Sequence, residues 1–88
     1  MPYLPEPQRQ QVHRRGFALD GAELNYILTY HINKFLDKRL EERQAKGDAL
    51  RYADYAAAAA AITGAEGEFR RLKMEPYEDQ KRKENGEV

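Results

Sequence analysis

Cysteine and serine are both missing from this chain of 88 residues, and histidine occurs only twice. Without cysteine there is no disulfide and no thiolate metal site to reinforce so small a domain. His13 and His31 are too few for a usual zinc set, and a Ser-His-Asp triad has no serine to start from. No glycine-rich phosphate loop is present, and the pair Glu78-Asp79 is a common surface feature rather than a Mg²⁺ site. No cofactor is implied, no metal is expected, and catalysis has no support in the residues. No run approaches the roughly 20 apolar residues of a membrane span, and no signal peptide is recognisable, so the expected location is the cytoplasm.

An excess of one charge is lacking too, since fifteen Lys and Arg balance fifteen Asp and Glu. That argues against binding a long nucleic acid, which draws on surplus cations to neutralise phosphates. A local basic cluster can still hold a small anion. The size allows one small domain, 1–88, near the limit at which a single core suffices, and oligomerisation is the common remedy.

What is present reads as helix. Residues 1–19 form an N-terminal arm that begins extended, with three prolines in its first seven residues. A short helix from about Glu6 to Arg15, ended by Gly16, is expected to lie on other elements rather than to form core. Residues 20–47 make the first strong helix, with Asp20 and Glu23 in a capping-box pattern and Gly47 as the stop. Leu24, Ile27, Leu28, His31, Ile32 and Phe35 share one stripe, widened by Leu36 and Leu40. This makes His31 a core or seam histidine. Tyr26 and Tyr30 point the other way and form a second surface.

Residues 48–75 make the next helix, capped by Asp48, with Tyr55, Ile62, Phe69 and Leu72 on one stripe. Its opposite face is bare, from Ala53 through the alanine run to Gly64 and Gly67. Each glycine costs about 1 kcal/mol relative to alanine in a helix interior, so close approach of another helix or a ligand is expected there. Pro76 restricts Glu75 and predicts the helix end. Residues 76–88 then form a C-terminal strap, with a short helical turn before Asn85-Gly86. The fold class is all-α: a small hairpin of two long helices with short helical segments at either end. The bare and tyrosine faces predict completion by other copies, as a dimer or tetramer.

Arg70 and Arg71 close the second long helix, where basic side chains complement the helix dipole and where guanidinium forks also suit phosphate oxygens. In the sharper reading they contact phosphates, helped by Lys81 and Lys83. Tyr77 or Tyr26 then stacks a base, and Asn25 or Asn85 reads its edge. The plainer reading is preferred for both rings: Tyr77 as an anchor for the strap, and Tyr26 as interface packing.

Four strings occur in order: MPYL, GAELNYILT, ITGAEGEFRR and PYEDQKRKENGEV. Together they resemble a family of short, largely uncharacterised phage and prokaryotic proteins with a GELNY-like helix start and a PYED-x-K-x-x-E-N-G-D/E-V ending. The match covers a little under half the chain. It departs in a less apolar N-terminal segment and in an alanine run where larger residues are expected. The resemblance carries over no active site. It implies a viral protein in host cytoplasm that acts in immune evasion, as a sponge (anti-CBASS type) sequestering a cyclic nucleotide between subunits without cleaving it. The alternative is an interaction module or inhibitor that docks on a host protein through its charged tail.

Overall fold

A computed structural model describes residues 4–86, and among these every regular element is helical. The extended start read at residues 1–3 and the last two residues of the strap lie outside the described residues. The chain divides into two compact units, 1–51 and 52–88.

The first unit holds α1 (Glu6–Arg15) and α2 (Gly21–Ala45). Pro7 sits in the first turn of α1, where its missing N–H costs nothing. Gly16 ends the helix in the left-handed region at φ 83°, its N–H donating to the Val12 carbonyl. The arm was expected to lie outside any core. Instead α1 supplies Val12, which is wholly buried and stabilises the unit by about 2 kcal/mol as an apolar side chain removed from water. At the head of α2, Asp20 caps the helix by accepting from the Glu23 N–H at 2.8 Å.

The stripe of α2 is only in part where the apolar pattern placed it. Leu24, Leu28, His31 and Phe35 are exposed, whereas Tyr26, Ile27, Tyr30, Ile32, Leu36 and Leu40 are half-buried. The reason is α1: its contact with α2 covers the tyrosine side. His31 is therefore no core histidine. It stands in solvent with its ring edge-on to Tyr30, centroids 5.4 Å apart.

The second unit is one unbroken helical run: α3 (Tyr52–Phe69), a π-helical turn (Arg70–Met74) and α4 (Glu75–Glu84). Its start lies later than expected, because the Asp48 carboxylate is occupied by the Ala49 N–H at 2.8 Å and by Arg51. Its end corrects the sequence reading more deeply. Pro76 does not stop the helix. Glu75 keeps helical angles, φ −63° and ψ −45°, and its N–H donates to the Arg70 carbonyl five residues back.

In a regular helix the proline ring would strike the carbonyl of Leu72 and leave it without a donor. The wider π-turn gives the ring room, so the run continues to Glu84, with Asn85 as its cap and Gly86 left-handed at φ 75°. What looked like a strap is a helix. Around Gly64 and Gly67 there is open space, so nothing in the chain explains the expected close approach.

Gly16 gives a clean test of these termini. A Cβ there meets no atom, so Gly16→Ala should act through the left-handed backbone alone. The expected loss is about 1 kcal/mol, read from urea unfolding with α1 protection followed by hydrogen exchange.

Candidate functional site

Two groups of side chains stand out, one in each unit. In the first, Glu23 is almost fully buried at 4% exposure. A buried carboxylate needs donors, and it has three. Its Oε1 accepts from Arg15 Nη2 and from the Leu19 N–H, each at 2.9 Å, and its Oε2 accepts from Gln8 Nε2 at 2.9 Å. This modifies the capping box, since Glu23 reaches back to Leu19 rather than to Asp20. Gln8, the Leu19 N–H and the Arg15 guanidinium together hold its carboxyl below the ordinary range, more than burial raises it.

Beside this lock lies an aromatic cluster. His13 Nε2 and Tyr26 Oη share a hydrogen bond at 2.6 Å, and the His13 ring packs edge-on to Tyr30 with centroids 4.4 Å apart. Lys34 Nζ lies over the Tyr30 ring, 5.6 Å from its centroid. Glu23 and Tyr26 both belong to the GAELNY string, so that motif fastens α1 onto α2. Asn25 is exposed, and its backbone carbonyl accepts from Thr29 Oγ1 at 2.9 Å.

The second unit carries the other candidates. Arg70 Nε donates to Glu66 Oε1 at 2.9 Å, and its Nη1 approaches Met74 Sδ at 3.9 Å. Arg71 Nη2 donates to Glu68 Oε2 at 2.9 Å. Each arginine is thus engaged by a carboxylate of its own helix. Tyr77 is exposed, with Lys81 Nζ 5.8 Å from its ring centroid, and Lys81 also donates to Glu84 Oε2 at 3.1 Å. Lys83 lies exposed in the last turn of α4, and the Asn85 N–H caps that helix on the Lys81 carbonyl.

Of the predicted site residues, then, Tyr77 and Lys81 come together. Arg70 and Arg71 lie on the same helical run, while Tyr26 and Asn25 belong to the first unit. Among the described residues no cluster of three metal-ligating side chains occurs, and no helix is long and apolar enough to cross a membrane.

The feature that sequence reasoning missed is apolar exposure. Tyr55, Ile62, Phe69 and Tyr77 are between 48% and 62% exposed, and every residue from 59 to 73 is exposed. The Phe69–Tyr77 interval of eight residues, against seven for the earlier steps, was the available signal.

Protonating Glu23 removes the negative charge that its three donors hold. Because its folded pKa is depressed, its contribution to stability is complete above the ordinary glutamate range and is lost as pH falls through the folded value. Glu23→Gln should undock α1 at neutral pH and flatten this acid transition, as measured by tyrosine fluorescence and by exchange of residues 6–15.

The whole chain, residues 1–88, matches the family described as Domain of unknown function (DUF6899), and it belongs to that family. No curated protein and no solved structure matches it.

Proposed function

We propose that this member of the DUF6899 family acts by binding rather than catalysis, as a helical interaction module whose docking element is the long C-terminal helix. The observation that carries this reading is the exposure of Tyr55, Ile62, Phe69 and Tyr77 along one helical run whose buried residues are Asp54 and Ala58. Removing such side chains from water is worth about 25 cal/mol per Å² of apolar surface, and a partner chain supplies that cover. The charged residues that flank the stripe are satisfied within the helix, as the Arg70–Glu66 and Arg71–Glu68 bridges are, so docking need not strand a charge. Hairpin pairing of the long helices and completion by further copies belong to the same reading.

A second reading keeps the chain as a phage-type sponge for a cyclic nucleotide. Its support is the exposed ring of Tyr77 with Lys81 beside it, a stacking face next to a cation. It requires Arg70 and Arg71 to leave their carboxylates for phosphate, and a second copy to complete a pocket. Titration calorimetry against cyclic di- and trinucleotides tests it: heat that vanishes in Tyr77→Ala supports it, and silence across the panel removes it.

For the module reading, the paired variant Ile62→Glu/Phe69→Glu is the test. Helicity by circular dichroism should be unchanged, because both side chains already face solvent. Association with any partner, another copy or a foreign chain, should fall at least about tenfold, which is what one buried aromatic contact amounts to. Association that is indifferent to both substitutions overturns the reading.

A further inference from the structure

The π-turn does more than accommodate Pro76. Tyr55, Ile62 and Phe69 recur every seven residues, the interval that keeps side chains on one helical seam. The next member, Tyr77, comes after eight. In an unbroken α-helix the extra residue would swing Tyr77 about 100° off the seam. A turn bonded five residues back encloses one residue more, and such a turn lies between Phe69 and Tyr77. The insertion is absorbed, and Tyr77 returns to the face of Phe69. The segment is also balanced lengthwise: Ile62 and Tyr77 each stand two turns from Phe69, on opposite sides.

Resting on the module reading, we propose that the occupant of this seam is a second copy of the same helix, packed antiparallel about a two-fold axis at Phe69. Ile62 then lies level with the partner's Tyr77, and Phe69 meets its own copy. Charge selects this arrangement. Glu66 and Arg70 flank the seam on one side and are bridged at 2.9 Å, while the exposed Ala65 lies on the other side, Ala58 before it being already buried within the chain.

An antiparallel pair brings like flanks together, so Glu66 meets the partner's Arg70 reciprocally, closing a ring of four alternating charges. A parallel pair sets that flank against the partner's alanine flank and forms no such ring. The extent also fits. Burying Ile62, Phe69, Tyr77 and their neighbours on two chains removes on the order of 1,000 Å², the lower bound for a specific interface.

The chain has no cysteine of its own, which makes orientation measurable. Full-length Ile62→Cys and Tyr77→Cys chains are mixed and oxidised. The proposal expects the 62–77 heterodimer to exceed both homodimers. Predominant homodimers overturn the antiparallel arrangement. In parallel, ultracentrifugation at micromolar concentration should show a dimer unit, weakened about tenfold by Glu66→Arg and restored by adding Arg70→Glu.

A chain that stays monomeric yet retains a foreign protein through Ile62 and Phe69 sinks self-pairing and leaves the module reading standing. A monomer that retains nothing sinks both.

Discussion

The first unit depends on one carboxylate. Glu23 gathers Gln8 from α1, Arg15 from its last turn and the Leu19 N–H from the connection, so a single buried charge fixes three pieces of chain at once. Taking a carboxylate out of water is costly unless every lone pair has a donor, and here the donors are drawn from separate segments. That makes the contact directional in a way that Val12 alone could not be. The His13–Tyr26 hydrogen bond and the rings around it follow from the register that Glu23 sets.

The second unit has a buried carboxylate of its own, Asp54 at 1% exposure, but beyond Ala58 none of its described residues is buried. It is a helical run held by its own backbone, by alanine's propensity and by i,i+3 and i,i+4 ion pairs worth a few tenths of a kcal/mol each. These supports are local, and none of them uses Tyr55, Ile62, Phe69 or Tyr77. The contrast between the units separates a part whose order is internally specified from a part whose large side chains are offered outward. The proposed docking role rests on that outward face.

Legibility followed locality. Helix α1, the Gly16 stop, the Asp20 cap and the extent of α2 could all be read from the sequence, because each rests on near neighbours. Which face of α2 is covered could not, since hydrophobic periodicity pointed to Leu24 and Phe35 while a polar hub on Glu23 and Tyr26 decided the matter. Pro76 misled because the rule against proline in a helix assumes bonds four residues back, and the π-turn changes that assumption. Among the candidate site residues, the sequence could name Arg70, Arg71 and Tyr77. It could not show that Glu66 and Glu68 already hold the arginines, since that is a matter of rotamers.

The π-turn has a consequence for chain length. One residue more per turn is tolerated between Phe69 and Tyr77 because a proline follows it, so the extra residue and the proline form a single unit of change. Losing either alone leaves Tyr77 a quarter-turn out of line or a ring without room. Deleting Pro76 removes the extra residue and the ring at once, and returns a shorter, regular helix with the same face. This short segment is therefore where the helix can change length by one and still present an unaltered surface.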